Sequence, residues 1–477
     1  MAKKGFIQIT IIGIAITVIV LGLKSYFYFS NRPVALKEEN VQKLEEILVR
    51  ENTSKLVQEG VIEVGQKPKT IVRESQPSSF NNSKIAVNDD VVQGYPVNCY
   101  PRLGFDNHRT EQTFVINPRN NKVMYVNVEY KGIYKSVDGG DTWSFSGKGL
   151  KGLPRNDDPS KPCHDLRFHL YIDPSNPDRL LAPGGSAPRR VGEGLGGLSE
   201  SLDGGATWHQ LFTSEMSAYT EAAIIDPINS NIVYVTTSAL PQGMDGIDKG
   251  NVFVIKGVVY KTADGGKTWN ELPTGFFTDM RTPGIFIDAK NSKIVRLATF
   301  GLPSGSNVGK KSTNEQWGLL ETNDAGLTWT KLGSTLGIGI RYIDVSSVNM
   351  NHFFMMASKD NTDKVYYSID GTLNEPSIMI VNFARYDPHD KTGMRLIGLN
   401  LYAEPNDIFE SLDGGKTWNV VGKLPESITS DHRATNIVFD PIDTNVIYIN
   451  SDLARIWRSS DKGNTWRPLL SLDKLEN

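Results

Sequence analysis

Six copies of one eight-residue turn, each preceded by a short alternating apolar run, predict an all-β chain folded as a seven-bladed β-propeller. A long apolar run near the N-terminus adds a transmembrane helix and a short helical stalk. Composition agrees. The 477 residues include 44 Gly, 17 Tyr and 8 Trp against 22% charged residues, the balance of a turn-rich and aromatic-rich β protein. A net charge of −3 and a pI near 6.2 give no general attraction to nucleic acid. No nucleic-acid motif is present either, so nucleic acid is excluded as a partner.

Residues 1–30 are expected to be a signal anchor. Residues 6–23 are apolar apart from Gln8, two Thr and two Gly, and as a helix they span about 27 Å. Lys3 and Lys4 precede the run, and Tyr26, Phe27, Tyr28 and Phe29 follow it as an interfacial belt. A cleaved signal peptide is the rival reading, but no A-x-A-like site follows the run and no cysteine is near for lipidation. The N-terminus is therefore expected in the cytoplasm and the propeller in a periplasmic or extracellular space. Residues 31–94 read as stalk and linker. Val41, Leu44, Leu48 and Leu56 have the spacing of a short amphipathic helix, a spacer or alternatively a docking helix. Residues 65–92 are polar, contain Pro68 and Pro77, and keep no periodicity.

Residues 95–477 carry the repeat. The box Ser/Thr-x-Asp-x-Gly-x-Thr-Trp occurs at 136–143, 201–208, 262–269, 322–329, 411–418 and 459–466. Its aspartates are Asp138, Asp203, Asp264, Asp324, Asp413 and Asp461, and its tryptophans Trp143, Trp208, Trp269, Trp329, Trp418 and Trp466. A seventh copy beginning at Ser368 keeps Asp370 and Gly371 and loses the Trp. Upstream in each repeat an Asp-Pro turn or a relative of it, as at Asp173, Asp226 and Asp440, precedes another strand. One repeat thus predicts four strands. Successive box aspartates, counting Asp370, lie 65, 61, 60, 46, 43 and 48 residues apart, so seven four-stranded blades fit, with insertions in the earlier ones.

The box resembles the Asp-box, or bacterial neuraminidase repeat, of sialidases, xyloglucan-active hydrolases, sortilin-type receptors and the photosystem II assembly factor. The resemblance implies that the box Asp ties its hairpin together while the Trp packs between sheets. It implies a fold, and leaves activity open between hydrolases and binding proteins.

Boxes and Asp-Pro turns share one tight face of such a propeller, and the insertions at 182–197, 236–257 and 301–316 share the other. Residues leading into the innermost strands open onto the channel from this second face. Among them His108, Arg109, His164, Asp165, Arg167, Glu221, Arg281, Arg341, His432 and Arg433 are candidate ligand-binding residues. Converging guanidinium forks suit an anionic ligand or an acidic segment of a partner. The alternative is that each Arg pairs with a neighbouring carboxylate.

Two other patterns fail. Residues 192–197 satisfy G-x-G-x-x-G, but no helix follows to hold a pyrophosphate. No Cys or His pair has zinc-ligand spacing, so neither metal nor other cofactor is expected. Cys99 and Cys163 precede the first two innermost strands and are expected to form a disulfide outside the cytoplasm, two free thiols being the alternative. A sialidase-like or glucanase-like hydrolase would need two carboxylates, and Asp165, Glu221, Asp279 and Asp431 are candidates. An anchored, non-catalytic scaffold attending an integral membrane complex accounts for more of the chain, and a carbohydrate ligand remains an alternative.

Overall fold

The computed structural model describes residues 70–72, 113–471 and 475, without 129–130, 151–152, 155–163, 166–168, 185–196, 213–219, 238–257, 275–279, 302–316, 360–361, 378–380, 401–406, 426–433 and 452–454. The chain divides into two compact units, Met1–Lys69 and Thr70–Asn477. The first unit, with the expected anchor and most of the stalk, lies outside the described residues. Among the described residues no helix is long and apolar enough to cross a membrane.

The second unit is an all-β propeller of seven antiparallel sheets, each built from consecutive strands. Blade one comprises Phe114–Ile116, Met124–Val128, Gly132–Ser136 and Ser144–Phe145. Blade two comprises Tyr171–Ile172, Leu180–Gly184, Gly197–Ser201 and His209–Phe212. Blade three is Thr220–Ile225, Val233–Thr237, Val259–Thr262 and Thr268–Glu271, and Thr70–Val72 pairs onto its outer edge as a fifth strand. Blade four is Met280–Asp288, Asn291–Gly301, Gly318–Thr322 and Thr330–Lys331. Blade five has three strands, Gly339–Val345, Phe353–Lys359 and Thr362–Ser368. Blade six is Phe383–Tyr386, Leu396–Leu399, Asp407–Ser411 and Asn419–Lys423, and blade seven is Ala434–Phe439, Ile447–Ser451, Arg455–Ser459 and Arg467–Leu470.

Burial follows position in the blade. The second strands of blades one, two, three, six and seven are buried at every residue, because both of their faces pack on neighbouring blades. The short fourth strands of blades one and four are exposed. The ring closes without exchanging strands between its first and last blades. Phe114, Met124 and Val126 of blade one share one apolar cluster with Tyr448, Ile456 and Leu469 of blade seven. Gly140, at φ +92°, is where this closure is tightest, since a Cβ there would meet Leu469 Cγ at 2.6 Å.

Polar bonds on the tight-turn face repeat this closure at all seven blade interfaces. Arg119 Nη2 donates to the Ser175 carbonyl (2.6 Å), Ser230 Oγ to Asp173 (3.0 Å), and Ser292 Oγ to Asp226 (2.8 Å). Lys290 Nζ reaches the Val348 carbonyl (2.9 Å), His352 Nδ1 the Gly393 carbonyl (2.9 Å) and His389 Nε2 the Asp440 carbonyl (2.7 Å). Asn121 Nδ2 donates to the Asp440 carboxylate at 3.0 Å and joins blade one to blade seven. The turn aspartates are therefore mortar between blades as well as turn formers.

Each full box is one hydrogen-bonded unit. In blade one Ser136 Oγ donates to Asp138 (2.8 Å) and accepts from the Gly140 N–H (2.8 Å). Asp138 also accepts from the N–H (3.0 Å) and hydroxyl (2.6 Å) of Thr142. The same pattern recurs at Asp203, Asp264, Asp324, Asp413 and Asp461. In the fourth box Ala325 takes the left-handed position, φ +60°, that Gly fills in most of the others. Preceding blades lean on these turns: Tyr125 Oη and Lys135 Nζ both donate to the Gly204 carbonyl, and Tyr234 Oη and Lys261 Nζ to the Ala325 carbonyl. In blade four Arg296–Glu321 occupies the equivalent cross-strand place, and in blades two and six an Arg two residues earlier, Arg179 or Arg395, pairs with the corresponding Glu200 or Glu410, all at 2.7–2.8 Å.

The threonine bonds hold Asp138, Asp324 and Asp461 down to about 2. At Asp264 burial pushes the other way and the Thr268 bonds outweigh it, again leaving about 2. A carboxyl depressed on folding contributes stability above its unfolded pKa, near 3.9, and loses it as pH falls toward the folded value. Above pH 5 these box carboxylates are ionised in both states and add no slope, and the stability they supply should be lost, with a fall in the thermal midpoint, between pH 4 and 2. An Asp324→Asn variant, having lost one such carboxyl, should fall less steeply in that window.

The seventh box departs from the four-strand expectation. Its hairpin closes early, with Tyr367 and Asn374 exchanging both backbone bonds at 2.9 Å. Leu373 packs against the core shared by blades four and five, in the place that the lost Trp would fill.

Candidate functional site

Strand register aligns the seven innermost strands without recourse to their sequences. The residue two places before each turn Asp or its equivalent is Val115, Tyr171, Ile224, Phe286, Asp344, Arg385 and Val438. Tyr171, Ile224, Phe286, Arg385 and Val438 are half-buried although their strands are central, because the inner strands flank the channel. Five of the seven are uncharged. Asp344 and Arg385 are the exception, and they face each other across the blade five to six interface with Arg385 Nη1 3.1 Å from Asp344 Oδ1.

This pair is densely supported. The Tyr386 N–H donates to Asp344 Oδ2 (2.8 Å), and the Tyr342 hydroxyl donates to the Ala384 carbonyl and bonds the Arg385 side chain. Burial pushes the Asp344 carboxyl above the ordinary carboxylate range, with the Arg385 guanidinium pulling against it. Burial also pushes the Tyr171 phenol up, opposed by a backbone bond at Ala223 and by Arg385. Sequence reading missed this pair. The available signal was a charge two places before the turn Asp or its equivalent, where blades one, three, four and seven are apolar.

Four inner strands begin with a β-bulge, at Thr220/Ala222, Arg281/Gly284, Ile340/Tyr342 and Ala434/Asn436. A bulge re-aims one side chain and raises local twist, here at the channel mouth. Two candidate residues, Glu221 and Arg341, are the bulged residues of blades three and five. Glu221 is buried and its Oε2 accepts the Thr282 N–H of blade four at 2.8 Å, a staple between inner strands. Arg341 Nε donates to Ser358 Oγ (2.8 Å) and lies 3.0 Å from Asp363 Oδ1. Its guanidinium stacks 5.2 Å from the Phe300 ring centroid, and Phe300 stands 6.1 Å from Trp317. Arg341 is thus held by its own carboxylate and an aromatic face.

The remaining candidates separate as follows. His164–Asp165 forms a two-stranded ribbon with Leu153–Pro154 in the connection from blade one to blade two. Arg281 lies in the first strand of blade four, opposite Phe300. His108, Arg109, Arg167, His432, Arg433, Cys99 and Cys163 lie outside the described residues. Among the described residues no three His, Cys, Asp or Glu side chains gather as metal ligands.

No protein-family signature matches the chain, and no curated protein matches it. Solved structures do. The chain is similar to the GH74 xyloglucanase from Xanthomonas campestris, at 14% identity and a TM-score of 0.53 over 78% of this chain and 55% of that one. It is also similar to an ancestral GH74 enzyme, at 14% identity and a TM-score of 0.53 over 77% of this chain and 47% of that one. A likeness to YCF48 from Cyanidioschyzon merolae covers 74% of this chain and 96% of that one at 11% identity and a TM-score of 0.45. The chain spans about half the length of the GH74 enzymes it matches. At 14% identity what this chain shares with the two GH74 enzymes is the fold, which in this chain is an all-β seven-bladed propeller.

Proposed function

We propose that this chain is a membrane-anchored, extracytoplasmic propeller of the Asp-box type that binds protein as a scaffold, serving a complex of integral membrane proteins as subunit or assembly factor. The observation that carries this is Glu221. Among the four acids that could serve a hydrolase it is the one whose side chain is described, and its carboxylate is buried and engaged by the Thr282 N–H. A carboxylate fixed between blades is a poor proton donor to a glycosidic oxygen, which must be reached from an open cleft. Arg341, the one candidate arginine whose side chain is described, is closed on Asp363 and Ser358, so it is not a free fork for an anionic ligand.

The alternative is a glycoside hydrolase using carboxylates of the channel face, the activity associated with the GH74 propellers of the same fold. Purification from detergent-solubilised membranes beside a glycosidase panel separates the two. Stoichiometric integral membrane partners without turnover are the expected result. Turnover that disappears in Asp165→Asn would overturn the scaffold reading. The apolar run at 6–23 should also keep the mature chain detergent-dependent, and recovery of a soluble form starting near residue 30 would remove the anchor.

A further inference from the structure

Blade five is one strand short, and the register says why. Tyr367 and Asn374 exchange both backbone bonds, so Tyr367 turns its N–H and C=O away from the second strand. With a period of two, Val365 and Asp363 turn theirs the same way, whereas Thr362, Lys364 and Tyr366 pair inward with Lys359, Ala357 and Met355. The returning chain would bring residue 376 opposite Val365, and that residue is a proline without an N–H. The chain then leaves: Ser377 bonds the Lys416 carbonyl in the box of blade six. Among the described residues, Tyr367 with Asn374 is the one pairing on this outward edge. Thr362 and Asp363 are exposed and Lys364 is half-exposed.

We propose that the edge at 362–365 is a docking site where an extended segment of a partner protein pairs as the missing fourth strand. It rests on the protein-binding reading above and gives that reading a place and a chemistry. The other six blades each carry a fourth strand on this edge, and blade three takes a fifth from Thr70–Val72, so blade rims of this propeller accept strands. That same segment is thereby committed to blade three. A second copy of the chain fits badly. Antiparallel self-pairing sets two Lys364 or two Asp363 side chains directly opposite each other, or needs the Tyr367 bonds already given to Asn374. Lys364 Nζ holds Glu375 Oε1 at 2.7 Å and Asp363 lies 3.0 Å from Arg341 Nε, so the occupant is selected chiefly by the outward N–H and C=O groups of Asp363 and Val365: an extended stretch free of proline, in which an acidic or hydroxyl residue opposite Lys364 shares the ammonium with Glu375.

The probe is a fluorescein-labelled acetyl-Thr-Val-Glu-Lys-Thr-Val-amide, titrated onto the full chain in detergent. Antiparallel alignment sets its Glu opposite Lys364, its Lys opposite Asp363 and its first Val opposite Val365. N-methylation of that Val or of the Lys should weaken binding at least about tenfold, and N-methylation of the Glu or of the second Thr should change it less than about threefold. Asp363→Pro, which removes an outward N–H, should weaken binding, while Asp363→Ala, which loses the same ion pair with Arg341 but keeps the N–H, should retain most of it. Absence of binding to the wild-type chain at millimolar peptide, an N-methyl series without alternation, or equal losses for Asp363→Pro and Asp363→Ala would overturn the proposal. Recovery of integral membrane partners alongside such a failure would leave the scaffold standing and remove only this edge.

Discussion

Replacing Trp208 with Ala should lower the unfolding free energy by about 3 to 5 kcal/mol, the range for deleting a buried Trp. Trp208 is 4% exposed and packs with Leu150, Leu170 and Leu180 at the interface of blades one and two. Its indole also spans blades, since Nε1 donates to the Ser146 carbonyl at 2.7 Å, whereas the other five box tryptophans donate to a glycine carbonyl of their own box. The truncated variant therefore loses apolar contacts and leaves a buried carbonyl unmatched. Leu373→Ala, in the half-buried place that corresponds to Trp in the degenerate box, should cost about 1 to 2 kcal/mol. Thermal midpoints of the two variants in one detergent check the difference. Equal shifts would mean that the degenerate box carries the same packing load as the full ones.

Local bonds made the boxes legible. Ser136, Asp138 and Thr142 meet within one turn, so their chemistry is written in eight consecutive residues and repeats wherever the turn does. The missing fourth strand of blade five was half legible: loss of Trp marked the box as degenerate, but Pro376 acquires its meaning only once the Tyr367 to Asn374 register is known. The seven-link belt of the turn face was not legible, since Arg119 to Ser175 or Asn121 to Asp440 joins residues from different repeats with no fixed sequence offset.

The candidate site divides the same way. Alternation located the innermost strands, and with them Glu221 and Arg341 at the channel mouth. It could not say that Glu221 would be used up by a neighbouring blade's N–H, or that Arg341 would close on Asp363 from its own sheet. Pairing across a blade interface depends on the rotation between sheets, which periodicity does not contain. The same limit hid Asp344 and Arg385, which lie 41 residues apart in the chain and 3.1 Å apart in the channel.

Replacing Arg385 with Met should destabilise the propeller by about 3 to 5 kcal/mol at neutral pH, as removal of one partner from a buried ion pair does. The side chains of Arg385 and Asp344 are 26% and 11% exposed, so little water is at hand to take over from the lost guanidinium. The pH dependence distinguishes this from lost packing. Asp344 already has its carboxyl raised by burial with Arg385 present, and without Arg385 it should rise further. A carboxyl whose folded pKa lies above its unfolded one costs stability as pH rises. Well below pH 4, Asp344 is protonated in both states, so the gap between variant and wild type should be small there. The gap should widen as pH increases and level off once the folded carboxyl ionises. Asp344→Asn added to Arg385→Met should abolish the widening, because the amide keeps the acceptor for the Tyr386 N–H and carries no charge. A gap that stays constant from pH 4 to 8 would show that Arg385 acts through its contacts alone, and that the channel pair is not electrostatically coupled to folding.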